Sequence, residues 1–393
     1  MTEAVKLTQE LVKIESTNPG KREWEMAEYI QAYLGGCGAR VHLDEVMDGR
    51  CNVVAELAAG EHAMAEGRPA SALVLMGHMD TVVLDEGWSV NPLEGEIRDG
   101  KIYGRGACDM KSGLACALSV FRKTSLRVKN GEITLKHPLK LICTVDEECN
   151  MRGAERAIIA RDVSEHDWVI DLEPTEGQIQ MAHKGRFWME MTVQGITAHA
   201  SRPELGADAI AAAGEIISRV RRAFQKLPVH EELGRSTVTF GQITGGYQPY
   251  VVPDQCKIWL DMRLAPPMSD RAVLRIVDCI IAETEKGLPG IHTTYKITGN
   301  RPYIERNDQS VLMKELKEAC RDVMGKEPEV GPFSGYTDTA VIAGILQNRE
   351  CMSYGPGSLN QAHKPDEYVE IADIRRCESV FAQLVQRIVI EER

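Results

Sequence analysis

ALVLMGHMDTV, Ala72 to Val82, sets five apolar residues directly before a glycine, a histidine and an aspartate. A run this short is of strand length, and with no polar face to leave in water it reads as a strand buried on both sides of a sheet. Two further stretches repeat the arrangement. LKLICTV, Leu139 to Val145, runs into Asp146, Glu147 and Glu148, and WVIDL, Trp168 to Leu172, runs into Glu173 and Pro174. In open α/β sheets ligands gather beyond the carboxyl ends of the strands. Three strands that each end in histidine or carboxylate therefore imply one sheet and one shared site.

Around these strands the first part of the chain alternates helical and strand-like spacing, as a sheet covered by helices requires. Helices are expected at residues 3–15 and 23–34 and a strand at Asn52 to Leu57. A small, polar, glycine-containing stretch from Ala58 to Ser71 reads as a surface loop, with His62 in solvent. The texture changes near His183. Arg186 to Val193 alternates, an alanine-rich helix covers Ala207 to Phe224, and strands follow at Ser236 to Ile243 and Cys256 to Leu264. A helix at Asp270 to Lys286 and a strand at His292 to Thr298 complete a βαββαβ order, that of a ferredoxin-like sandwich. A chain of 393 residues also exceeds what one core usually organises. The expected fold is α/β: a catalytic domain with a central mixed sheet, residues 1–182 and 297–393, and an inserted ferredoxin-like α+β domain, residues 183–296.

Composition narrows the function. A net charge of −12 opposes nucleic-acid binding, which draws on Lys and Arg neutralising phosphates, and opposes anionic membrane surfaces. No apolar run approaches the roughly 20 residues that span a bilayer, and Met1 to Ser16 mixes charges among its apolar positions, unlike an export signal. Eleven cysteines, an odd number without C-x-x-C spacing, suit free thiols in a reducing compartment, so a cytoplasmic protein is expected. Cys108 and Cys149 lie near the motifs below, but no spacing supports a thiolate metal site.

In GHMDTV, His78 can offer a ring nitrogen to a metal while Asp80 accepts a hydrogen bond from the other nitrogen and fixes the tautomer. GRGACDMKSG, Gly104 to Gly113, carries Asp109 on a glycine-rich turn before a helix expected from about Met110. It is not a phosphate loop, because Met110 stands where that motif needs glycine before its lysine. A carboxylate bridging two cations is the chemical alternative to a plain helix cap. Asp146, Glu147 and Glu148 crowd acidic groups at a strand end, a repulsion that cations would offset. Adjacent glutamates also permit a division of labour, one binding metal while the other moves protons. Glu173 is held extended by Pro174, with Asp171 as the competing ligand, and His363 sits in the proline- and glycine-bounded loop GPGSLNQAHKPDEYVE. Mixed oxygen and nitrogen donors suit zinc, cobalt or manganese.

These motifs, in order, resemble the zinc aminoacylase and carboxypeptidase family that includes acetylornithine deacetylase and succinyl-diaminopimelate desuccinylase. GHMDTV, YGRGACDMKSG, TVDEE, LEPT, AHKG, GITAHASRPELGADAI and GPGSLNQAHKPDEY carry the likeness over nearly the whole chain, and the closing motif is most similar to the acetylornithine deacetylases. The resemblance implies two divalent cations, most often zinc: one held by His78, Asp109 and Glu173, the other by Asp109, Glu148 and His363. It implies Glu147 as general base, His199 beside the scissile carbonyl, Arg263 on the substrate carboxylate, and a homodimer formed through the inserted domain as a lid. Tyr250 departs from the asparagine common in relatives before the hydrophobic-Pro-Asp run, which bears on the substrate. The implied activity is hydrolysis of the amide bond of an N-acyl amino acid. A dipeptidase or carboxypeptidase is the alternative, and a non-catalytic metal-stabilised binding protein is a third reading, which a spare glutamate opposes.

Overall fold

The computed structural model describes residues 1–20, 23–60 and 71–391. Most of the expected surface loop, including His62, lies outside the described residues.

The chain forms two units. The first comprises Met1–Met181, Arg306–Phe333 and Thr337–Arg393. Its strands include Arg40–Met47 (β1), Arg50–Leu57 (β2), Leu73–His78 (β3), Leu139–Thr144 (β4) and Trp168–Asp171 (β5). They belong to an eight-stranded mixed sheet in the order β1, β2, β4, β3, β5, followed by Cys351–Ser353, Ile179–His183 and Val330–Phe333. β3 runs parallel to both β4 and β5, so their carboxyl ends emerge on one edge. This is the arrangement that the three apolar runs imply, and every residue of β3 is buried.

Behind that edge lies Lys111–Lys129 (α2), which packs on β3 and β4 on one side and on Glu3–Lys13 (α1) and the helix Ile371–Ile388 on the other. The double burial explains its composition: Leu114, Ala115, Ala117, Leu118 and Phe121 are all inaccessible to solvent. The helix begins close to the backbone that carries Glu173. A Cβ at Gly113 or at Gly355 would run into the Leu172 carbonyl oxygen, so two glycines let a helix and a loop close on the end of β5.

The second unit comprises Ala182–Glu305 and Ser334–Tyr336. Gly185–Gln194 (β6), Thr237–Gly245 (β7), Gln255–Leu264 (β8) and His292–Arg301 (β9) form an antiparallel sheet in the order β7, β8, β6, β9, the ferredoxin-like order. Ala209–Gln225 (α3) and Asp270–Gly287 (α4) share one core with this sheet, into which Phe187, Met189, Met191 and Val193 point from β6 and Ile258, Leu260 and Met262 from β8. Asp208 and Ser269 cap the two helices through Ala211 N and Ala272 N, at 2.9 and 3.2 Å. The unit runs past residue 296, where the sequence places its end. β9 continues to Arg301, and Tyr336 returns to donate a hydrogen bond to the Pro302 carbonyl oxygen at 3.0 Å.

Among the described residues, no helix is long and apolar enough to cross a membrane.

Gly113→Ala is expected to force Leu172 and Glu173 outward. Overpacking of this kind costs about 1–3 kcal/mol. Urea denaturation should show a lower midpoint, and metal titration a weaker affinity. An unchanged midpoint with unchanged metal affinity would contradict the close packing argued for Gly113.

Candidate metal centre

His78 ends β3 with its ring buried. Nδ1 lies 2.8 Å from the Asp80 backbone carbonyl oxygen, and because a carbonyl only accepts, Nδ1 carries a proton, which leaves Nε2 as the nitrogen that would bind a metal once its own proton is displaced. Nε2 faces Asp109 Oδ1 at 3.2 Å and Glu173 Oε1 at 3.9 Å. The tautomer is therefore fixed by the main chain of Asp80 rather than by its carboxylate, as the sequence suggests; Asp80 Oδ1 stands 3.8 Å from Nδ1. That carboxylate has a different task. It accepts from Asn18 Nδ2 at 2.8 Å and from the backbone N–H groups of Glu147 at 3.2 Å and Glu148 at 3.3 Å, which pins the turn after β4. Asp146 takes a left-handed conformation there, with φ of 66°, a region that aspartate tolerates better than most residues.

Asp109 stands between the two histidines. Its Oδ1 faces His78, and its Oδ2 lies 3.2 Å from His363 Nε2, which is also 3.1 Å from Glu148 Oε2. A carboxylate with one oxygen toward each histidine has the disposition that a bridge between two cations requires. The loop bearing it is held by Glu367, whose oxygens accept from the backbone N–H groups of Gly106, Cys108 and Asp109 at 3.1, 2.8 and 3.0 Å and from Arg105 Nη1 at 2.8 Å. Sequence reasoning missed Glu367. Its only signal is that a glycine-rich turn with several inward N–H groups needs an acceptor, and KPDEY follows His363.

His78, Glu147 and Glu173 form one group that could hold a cation, and His78, Asp109 and Glu148 another, with ligand atoms within 4.8 Å of one another. Asp171, the competing ligand, stays out of both: its carboxylate accepts from Leu172 N at 3.0 Å and from Thr339 N and Oγ1 at 3.3 Å. Cys108 is also excluded, since its thiol donates to the Ser358 carbonyl oxygen at 3.2 Å and burial pushes its pKa well up, against thiolate formation.

Charge shows why this set fits divalent cations. Burial, followed by neighbouring carboxylates, pushes Glu173 well above the usual range; burial also raises Glu147 well above it and lifts Glu148. Asp338, behind them, is pushed up to about 7 by burial and by Asp171. Asp109 goes the other way. Burial opposes its ionisation, but the hydrogen bonds from His363 and His78 hold it below the carboxylate range. His363 is pushed up to about 10 by its hydrogen bonds to Asp109 and Glu148, and His78 is raised well above 6.5 by Asp109 and nearby carboxylates although burial opposes its charge. Imidazolium protons thus offset buried anions in the metal-free chain. Divalent cations would serve the same electrostatic need with greater charge, and the donors, all oxygen and nitrogen, match zinc, cobalt or manganese.

His199 and Arg263 belong to the second unit. His199 is exposed, and its Nδ1 accepts from Ser201 N at 3.1 Å, so in the neutral ring Nε2 carries the proton. Arg263 is engaged already: Nε and Nη2 lie 2.8 and 3.0 Å from the two oxygens of Asp261. Tyr250 is exposed.

A mixed sheet whose parallel strands end in buried carboxylates, with the buried imidazole of His78 and the exposed one of His363 beside them, carries the donor set of a metal-dependent hydrolase. The chain belongs to Peptidase family M20/M25/M40, whose model matches residues 74–387. It is 29% identical over 382 residues to acetylornithine deacetylase of Myxococcus xanthus, with 96% of this chain and 95% of that protein covered. Its fold is similar to that of a tripeptidase from Staphylococcus aureus, with a TM-score of 0.78 at 22% identity over 98% of both chains. It also resembles a dinuclear metal binding peptidase of the M20 family from Bacillus subtilis, with a TM-score of 0.71 at 16% identity over 98% of this chain and 97% of that one.

Two consequences follow for the metal-free protein. The ion pairs of His363 should stabilise the fold fully below pH 6.5, its ordinary value, and this contribution should fade as pH rises through about 10. At pH 7 both site histidines carry protons that metal must displace, so zinc binding should release protons. Calorimetry in buffers of differing ionisation enthalpy measures that release, and a value of zero would refute the ligand set.

Proposed function

We propose that the protein hydrolyses the amide bond of an N-acyl amino acid, using two divalent cations and Glu147 as general base. The observation that carries this reading is the split between neighbouring glutamates. Both backbone N–H groups are tied to Asp80, but the Glu148 carboxylate meets His363 at 3.1 Å, whereas that of the buried Glu147 groups with His78 and Glu173. His78, Asp109 and Glu173 would hold one cation and Asp109, Glu148 and His363 the other, most plainly as zinc. When bound, the cations would polarise the scissile carbonyl and acidify the attacking water.

The chain's own groups then have distinct work. Glu147 accepts a proton from the attacking water and passes it to the leaving amine; a buried carboxyl whose affinity for protons is raised is suited to carry one between the two steps. Asp80 orients Glu147 and Glu148 through their backbone N–H groups. His199 Nε2 donates to the oxyanion, and Arg263 binds the substrate carboxylate as a fork, exchanging part of its bond to Asp261. The deacetylase relative supports an N-acyl substrate, and the family's peptidases support the alternative of a dipeptide, since the same attack serves either amide. The exposed edge strand β7, with Ile243 half exposed, supports a homodimer. All eleven cysteines are free, which supports a cytoplasmic setting.

Glu147→Gln keeps nearly the same volume. It should retain both metals but lower kcat by about 10²–10⁴-fold on the best substrate in a panel of N-acyl amino acids and dipeptides. Glu148→Ala should lose occupancy of one metal and activity together. Because Glu147 also stands within ligand reach of His78 and Glu173, metal loss from Glu147→Gln would reject its role as base. If the partner subunit supplies His199, mixing inactive His199→Ala and Glu147→Gln chains should restore activity in heterodimers. Subunit exchange without recovery would exclude a shared site.

A further inference from the structure

Between α1 and the helix Glu23–Leu34 the chain runs as a short strap from Ile14 to Asn18, fastened along its length. The buried Lys111 Nζ donates to the Ile14 carbonyl oxygen at 2.7 Å. Thr81 N donates to the Ser16 carbonyl oxygen at 2.9 Å, and Asn18 N donates in turn to the Thr81 carbonyl oxygen at 2.8 Å. Thr81 follows Asp80, and Lys111 shares the run CDMKSG with Asp109. The strap is therefore registered against two of the segments that build the metal centre. It brings one buried side chain there. Asn18 Nδ2 donates to Asp80 Oδ2 at 2.8 Å and to Asp146 Oδ1 at 3.1 Å. Asn18 Oδ1 lies 3.4 Å from Arg50 Nη1, which can only donate, and this settles which end of the amide faces the carboxylates.

One amide thus joins the two residues that hold the Glu147 turn: Asp80, which accepts from the Glu147 and Glu148 backbone N–H groups, and Asp146, whose left-handed backbone starts the turn. Building on the reading of Glu147 as general base, we infer that Asn18 is a positioning residue for the hydrolysis, fixing Asp80 and Asp146 relative to each other and so aiming the Glu147 carboxylate. An amide supplies two donors and no charge. It serves both carboxylates without neutralising either, so direction is what it contributes. Without their shared donor, two buried carboxylates lose a hydrogen bond each and repel, and the turn moves with them. Displacement of a reacting group by about 1 Å can lower a rate roughly 10²-fold. Glu148 is also anchored by His363 at 3.1 Å, so metal binding outlasts a loss of aim at Glu147.

The test uses the full chain with and without metal. Native-state hydrogen exchange should show the Glu147 and Glu148 amides losing protection by about tenfold or more in Asn18→Ala, with the amides of β3 unchanged. In the metal-loaded enzyme, Asn18→Ala should lower kcat about 10–100-fold on the best substrate of the panel, with KM and bound metal unchanged. Two controls separate a merely structural role. Leu7→Ala, which opens a cavity under α1, should lower the urea midpoint but leave kcat of the folded enzyme as it was. Asn18→Ala should add nothing to Glu147→Gln, because residues that act as one unit do not lose the same rate twice. Asn18→Ser, whose one hydroxyl hydrogen serves one carboxylate and not both, repeats the measurements in a second chain. Unchanged exchange at Glu147, a kcat within about twofold of the unaltered enzyme, or an equal further loss in the Glu147→Gln background would overturn the inference. So would failure of both Asn18 variants to fold. Glu147→Gln with Asn18 intact tests the base separately: a normal rate there rejects that reading, whereas a rate lost there and kept in Asn18→Ala rejects only the role of Asn18.

Discussion

The structure of the first unit depends on packing the carboxylates Asp109, Glu147, Glu148 and Glu173 into one largely dry space with only two imidazoles among them. Mutual repulsion of such groups in a low dielectric is severe, so the chain must hold them in place by force from outside. It does so through a surrounding layer of hydrogen bonds. Glu367 gathers three N–H groups of the Asp109 loop, Asp80 gathers two from the Glu147 turn, and the Asp80 carbonyl fixes His78. Even the glycines at 113 and 355 serve this end, because they let a helix and a loop press on the backbone of Leu172 beside Glu173. The supporting layer is itself anionic and draws on cations deeper in the fold: Arg105 meets Glu367, and Arg50 pairs with Glu23 and lies 3.4 Å from Asp146.

Much of this was legible in the sequence because strand ends are legible. An apolar run followed at once by His or Glu states both the element and the place where the side chain emerges, and β3, β4 and β5 are parallel neighbours as those runs imply. The inserted unit was legible through alternation, since Arg186 to Val193 divides into a core face and an outer face. What failed was whatever depends on which atom of a residue acts. The spacing His-x-Asp is satisfied equally by a carbonyl or a carboxylate, and the backbone turn selects the carbonyl. The sequence favours Glu173, held extended by Pro174, but leaves Asp171 as a competitor; Thr339, remote in sequence, claims the Asp171 carboxylate. Glu367 was hidden because its partners are backbone groups, which no side-chain motif announces. β9 carries a register shift between Ile297 and Gly299, which interrupts the alternation although the strand continues to Arg301.

The register of the inserted sheet, in which Arg186 pairs with Arg263 on one side and Arg301 on the other, illustrates a stricter limit. Arg186, Arg263 and Arg301 are each unremarkable along the chain, and no local pattern relates them, because cross-strand register is set by the pairing of whole strands. Only when β8, β6 and β9 are aligned do the three arginines fall into register. A feature of this kind can change between relatives without disturbing any motif, since each position is an independent outward-facing site on its own strand. The carboxylates and imidazoles of the cluster cannot vary so freely, because each is tied to the others through hydrogen bonds and a common burden of charge.

That contrast explains how one family accommodates both amino-acid acylases and peptidases. Attack on an amide carbonyl asks the same of the site whatever flanks the bond, so the buried anions and their hydrogen-bonded supports are constrained together. Recognition of the flanking groups asks only for fitting charge and shape, which outward-facing side chains on a separate sheet can supply one at a time. Tyr250, exposed beside the strand pairing of His199 with Val251, belongs to this second, freer set. Outward-facing positions of the second unit's sheet are set one at a time, whereas the crowded anions of the first unit are constrained together.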